Sequence, residues 1–199
     1  MRCVVGKVFT LVLAAMLMIS SAAYAETKKN NIEISLGAFD PGDDYDGYFD
    51  TGTDVSINYI RSFNDFFALE TGLHAYGTEM EDGWYWYGVS AADAEVSSVG
   101  FEMLGRLYKN FNGFRIYAGL GFGLYHNTLE IKASGVTFYD ESGRALGVVG
   151  KAGFDYIFNN GLYLGLNAKY FTNEQEFDGS SEKLDLGGTS YGLTVGYNF

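Results

Sequence analysis

Tyr191-Gly-Leu-Thr-Val-Gly-Tyr-Asn-Phe199 is the stretch on which the reading of this chain turns. Its apolar side chains fall at 191, 193, 195, 197 and 199, the two-residue period of a β-strand whose two faces differ. The other face carries Gly192 and Gly196. A helix would bring residues three and four apart onto one stripe and mix glycine with the buried side chains.

The same alternation recurs seven times upstream. It runs through Ile32, Ile34, Leu36 and Ala38; through Val55, Ile57 and Tyr59; and through Phe67, Leu69, Thr71, Leu73 and Ala75. A fourth segment holds Val99, Phe101, Met103, Gly105 and Leu107, and a fifth Ile116, Ala118, Leu120, Phe122 and Leu124. The sixth extends from Leu146 to Phe158 and the seventh from Leu162 to Tyr170. Connections alternate in length. Short turns are expected at Ser62–Asp65, Asn110–Gly113 and Asn159–Gly161, where the Asn-Gly pairs are hairpin signals. Long loops are expected near 40–53, 77–96, 127–143 and 172–183. The pattern predicts an all-β fold: a transmembrane, eight-stranded, antiparallel up-and-down β-barrel with both termini at the short-turn end.

Composition agrees. Glycine (27), tyrosine (16) and phenylalanine (16) are abundant, and Pro41 is the only proline; continuous sheet tolerates aromatic residues and excludes proline. Residues 1–25 read as a signal peptide: basic Arg2 and Lys7, an apolar run from Val8 to Ile19, and Ala23-Tyr24-Ala25 at the cleavage position. The run is too short to span a bilayer, which takes about 20 residues. Cleavage leaves one domain, 26–199, exported and without Cys3, the only cysteine. It also removes two basic residues and no acid, so the net charge of −12 becomes −14. A surface this acidic excludes nucleic acid as a partner.

Periodicity alone does not say which face is outside, because a soluble barrel also alternates. Opposite the apolar residues lie Glu70, His74, Glu102, Arg106, Tyr117, Lys151, Asp155, Asn167 and Lys169, interleaved with many glycines. Glycine weakens a strand without gain on a solvated face. In a crowded lumen it makes room for large neighbours. Each Lys or Arg turned to lipid near mid-depth costs about 2–4 kcal/mol, and several would exceed the roughly 5–15 kcal/mol that stabilises a domain. The charges are therefore expected inside and the apolar residues against lipid.

Eight amphipathic strands, four long loops, three short turns and a terminal Tyr-Asn-Phe resemble the small outer-membrane barrels of the OmpA transmembrane-domain and OmpX type. The resemblance covers the whole chain after the signal and implies a bacterial outer-membrane location, with lipids and lipopolysaccharide as surroundings. It also implies that Tyr197 and Phe199 belong to the C-terminal signal read by the barrel-assembly machinery. A monomer without a C-terminal peptidoglycan-binding domain is expected.

Four groups of residues invite a chemical reading. Glu70, His74, Glu102, Arg106, Lys151 and Lys169 form the expected lumen network; buried charges are tolerated only when paired, and an eight-stranded interior is just filled by side chains. The competing reading is a narrow, low-conductance pore. Asp40 to Asp54 contains six aspartates in fifteen residues. Asp43, Asp44 and Asp46 begin something like a calcium loop, but the further ligands are missing, so a solvated acidic loop is expected and no metal or cofactor. Trp84, Tyr85, Trp86 and Tyr87 suit either an interfacial aromatic girdle or a surface-recognition patch. A lipid A-modifying enzyme would need Ser, His and an acid together. His126-Asn127-Thr128 offers threonine where serine is required, with Glu130 and Glu141 nearby. The expected role is thus structural and interactive, with no catalysis.

Overall fold

The alternating segments form strands, and the strands close on themselves. A computed structural model describes residues 29–42, 49–79, 85–86, 89–90, 92–133, 136–176 and 183–199. Eight strands build one closed barrel: β1 (Asn30–Pro41), β2 (Gly52–Ser62), β3 (Phe67–Glu79), β4 (Ala92–Phe111), β5 (Phe114–Ala133), β6 (Val136–Ile157), β7 (Leu162–Phe171) and β8 (Gly188–Asn198). Each is antiparallel to its neighbours in sequence, and β8 returns to β1. No helix occurs among the described residues.

The closing seam is the stretch quoted above. Ile34 lies opposite Val195, Leu36 opposite Leu193, and Asn31 opposite Asn198. Phe199 N donates to Asn30 O at 2.8 Å, and Asn30 N returns a bond to Phe199 O at 3.1 Å. No backbone edge is left bare along this seam, which a barrel crossing hydrocarbon requires.

The two faces divide as expected. Leu120 is 68% exposed and Leu146 67%, whereas Glu33 is 0%, Glu70 2% and Arg106 2%. The short turns also match. Asn112 (φ 46°) and Gly113 (φ 88°) are both left-handed, as a two-residue turn between right-twisted strands demands. Asn64 Oδ1 accepts from Phe66 N (3.0 Å) and Phe67 N (2.7 Å), tying the β2–β3 turn.

Two expectations are corrected. The connection placed at 127–143 is mostly strand, since β5 continues to Ala133 and β6 begins at Val136. About 9–11 residues cross a membrane, so β5 and β6, at 20 and 22 residues, continue well past it. Alternation persists there with its phase reversed. Below Leu124 the apolar residues point outward to lipid; above it Leu129 turns inward onto a cluster of Val96, Leu186 and Phe49, because the outside is now water. The second correction concerns Asp54. It belongs to β2, not to the acidic loop, and its side chain is buried in the lumen.

Candidate functional site: the barrel lumen

The lumen is filled in layers, each assembled from strands far apart in sequence. The layer nearest the short turns is a square of charges. Lys151 Nζ on β6 lies 2.6 Å from Glu33 Oε1 on β1 and 2.6 Å from Glu70 Oε1 on β3. Arg106 Nη1 on β4 lies 3.2 Å from Glu33 Oε2 and 3.0 Å from Glu70 Oε2. Both carboxylates are thus bridged by both cations, and the square spans the interior from wall to wall. Arg115 donates from Nε to Asp155 Oδ2 at 2.8 Å, and Arg106 Nη2 approaches the same oxygen at 3.7 Å. Tyr163 Oη donates to Glu33 Oε2 at 3.2 Å. The Arg106 guanidinium carbon sits 3.4 Å from the centre of the Tyr117 ring, a stacking that a buried cation favours.

The next layer centres on His74. Its Nε2 is 2.6 Å from Asp54 Oδ2, and Nδ1 is 2.8 Å from Glu102 Oε1. Only the Asp54 contact has hydrogen-bond alignment. Lys169 Nζ approaches the same two carboxylate oxygens at 3.4 and 3.5 Å, and Tyr125 Oη donates to Glu102 Oε1 at 3.0 Å.

Packed against the charges is an aromatic cluster of Phe39, Tyr76, Tyr125 and Phe171, with Leu104 and Val149. Tyr76 is 4.5 Å from Phe39 and 5.0 Å from Phe171 between ring centres. A last polar layer joins the amides of Asn127 and Asn173 reciprocally at 2.9 and 2.8 Å. Tyr76 Oη donates to the Leu186 carbonyl at 2.7 Å, beneath the apolar cluster that ends the stack.

The lumen glycines serve the tyrosines. A methyl group on Gly196 would strike the Tyr163 ring, one on Gly153 the Tyr117 ring, and one on Gly100 or Gly123 the Tyr125 ring. Each wide ring lies flat over a position that has no side chain.

All six charged or polar residues expected in the lumen are there and buried: Glu70, His74, Glu102, Arg106, Lys151 and Lys169. Sequence reasoning left Glu33, Asp54, Arg115 and Asp155 out of the network. Glu33 stands between Ile32 and Ile34, in phase with Ser35, so strand parity alone identifies it. Arg115 and Asp54 were hidden by position, each at a strand end that reads as turn or loop.

Asp43, Asp44 and Asp46, with Trp84 and Tyr87, lie outside the described residues. Tyr85 and Trp86 pair with Val89 and Ser90 as a two-residue hairpin, and their side chains lie outside the description. Among the described residues no group of three or more His, Cys, Asp or Glu is placed to hold a metal ion. His126 faces outward on β5, with Val99 and Arg144 as its cross-strand partners. Tyr197 and Phe199 stack at 6.5 Å at the short-turn end of the seam.

Comparison with known proteins places this arrangement. The family described as "Outer membrane protein beta-barrel domain" matches residues 9–199. No curated protein matches the chain by sequence. Among solved structures, OprG from Pseudomonas aeruginosa is similar with a TM-score of 0.61 at 16% identity, covering 86% of this chain and 96% of that one. Neisserial surface protein A is similar with a TM-score of 0.55 at 12% identity, covering 88% and 100%. Ail of Yersinia pestis, in complex with the heparin analogue sucrose octasulfate, is similar with a TM-score of 0.51 at 15% identity, covering 86% and 99%. At these identities the likeness concerns the fold. The closed eight-stranded barrel and the match over 9–199 agree, and the chain belongs to the outer-membrane β-barrel domain family, whose place is the bacterial outer membrane.

Proposed function

We propose that this protein is a sealed outer-membrane barrel with a structural and surface-interaction role, a rigid pedestal that carries its long connections outside the cell. The observation that carries the reading is the burial of the transverse layers. A water-filled channel leaves its lining accessible. Here Glu33, Glu70, His74, Arg106, Phe39 and Phe171 are each at most 2% exposed. The Glu33–Lys151–Glu70–Arg106 square would have to break for an ion to pass, and each broken contact strands a charge away from water. Both termini face the periplasm, export uses the segment 1–25, and the barrel is a monomer inserted through the C-terminal strand.

Planar-bilayer recording tests the sealed lumen. The protein is expected to give no steady single-channel steps. Steps of constant size, altered when Arg106 or Lys151 is neutralised, would replace this reading with that of a narrow pore.

A further inference from the structure

The outer surface of β4, β5 and β6 is organised in rows as regular as those inside. Leu124 on β5 lies opposite Phe101 on β4 and Leu146 on β6, all three exposed apolar residues of the lipid belt. One row further from the short turns, His126 is flanked by Val99 and Arg144. In the row after that, Thr128 lies between Ser97 and Ser142. From Phe114 to Leu124 the outward positions of β5 are all apolar, over the eleven residues that suffice to cross hydrocarbon. His126 is therefore the first polar outward position on β5, as Arg144 is on β6, and both are exposed.

No other Lys or Arg stands at this edge among the residues whose side chains are described. Among the described residues, outward polar positions at this edge include Asp40 on β1, Thr53 on β2, Glu79 on β3, Ser97 on β4 and Thr189 on β8, with Thr71 lying deeper in the belt on β3. Beyond the hydroxyl row Glu95 lies opposite Glu130. A chain with a net charge of −12 thus sets one His–Arg pair at the margin of its apolar belt, with acids on the next rows.

We propose that His126 and Arg144, with the hydroxyls of Ser97, Thr128 and Ser142, form a clamp for a phosphate of the lipid A headgroup in the outer leaflet. The inference rests on the proposed orientation, with the long connections outside. Successive same-face rows are about 7 Å apart and neighbouring strands about 4.8 Å, so the three-strand patch matches one phosphorylated sugar. The guanidinium offers a planar pair of donors suited to phosphate, the imidazole a ring N–H, and the hydroxyls further donors. The lipid's acyl chains continue down Leu124, Phe101 and Leu146, which joins the polar clamp to an apolar track in one ligand.

Native mass spectrometry of the full folded chain from detergent tests this, using bisphosphorylated lipid A, dephosphorylated lipid A and phosphatidylglycerol as probes. Wild type is expected to retain bisphosphorylated lipid A preferentially. Arg144→Gln should lower that retention about fivefold, the effect of one basic group at a charged membrane surface, and adding His126→Gln should lower it further. Lys109→Gln, at the opposite end of the barrel, should leave it unchanged. Equal retention by wild type and the double variant overturns the clamp. So does a parallel loss of phosphatidylglycerol, or an equal loss in Lys109→Gln. Heat-modifiable migration checks that each variant is folded; both substitutions are on the exposed outer face. Channel recordings on the same samples are read separately, so a conducting barrel refutes the sealed lumen and leaves the clamp to its own test.

Discussion

Replacing Lys151 with methionine removes the ammonium while keeping most of the side chain's volume. Its Nζ is the nearest cation to both Glu33 and Glu70, at 2.6 Å from each. Arg106 remains, but one Nη1 at 3.2 and 3.0 Å would have to serve both carboxylates. Glu33 is 0% exposed and Glu70 2%, so water does not replace the lost partner. Removing one member of a buried pair costs about 3–5 kcal/mol. At about 1.36 kcal/mol per tenfold, that shifts the folded-to-unfolded ratio by two to nearly four orders of magnitude. Urea unfolding in phospholipid vesicles, followed by the shift between folded and unfolded bands on a gel, measures it. Lys109→Met, on the outer wall with only a long contact to the Phe111 ring, should cost under about 1 kcal/mol. Adding Glu70→Gln to Lys151→Met should restore part of the loss, because it removes one stranded charge. A Lys151→Met protein within about 1 kcal/mol of wild type, or a double variant weaker than the single, would refute the account of the square.

Two other outcomes follow from the packing and the seam. Gly196→Val should destabilise the barrel by about 1–3 kcal/mol, the usual cost of overfilling a core, because its Cβ strikes the Tyr163 ring; Gly105→Ala, whose added carbon would meet the Phe67 ring at an ordinary 3.5 Å, should be near neutral in the same unfolding assay. Phe199→Ala keeps the backbone bonds to Asn30, so refolding into vesicles should be unchanged while the amount in the outer membrane of cells falls; equal losses in both assays would make Phe199 a stability residue instead of an assembly signal.

The acidic loop shows how a local reading misleads at a boundary. Asp54 follows five aspartates within fifteen residues and reads as the end of that run. In the structure it is a lumen side chain bonded to His74 at 2.6 Å. Its parity with Ser56 and Asn58 was the available signal, outweighed by the composition of the segment before it. The β5–β6 hairpin failed to show for a different reason. A barrel strand that leaves the membrane exchanges lipid for water on its outer face, so the apolar phase inverts between Leu124 and Leu129. A search for one continuous phase therefore stops at the interface.

What the sequence determined by itself is everything that depends on neighbours two residues apart: eight strands, their faces, the Asn-Gly turns, and the placement of charge and glycine on the inner side. Those features follow from backbone period and solvent preference, both local. Only the tertiary structure decided which charge meets which. Glu33 and Lys151 are separated by 118 positions, and Glu33 and Tyr163 by 130. The strand registers and the closure of β8 on β1 bring them within hydrogen-bond reach, and no period along a single strand encodes that meeting. The same registers set His126 beside Arg144 on the outside. There, two residues with nothing in common in the sequence become one surface.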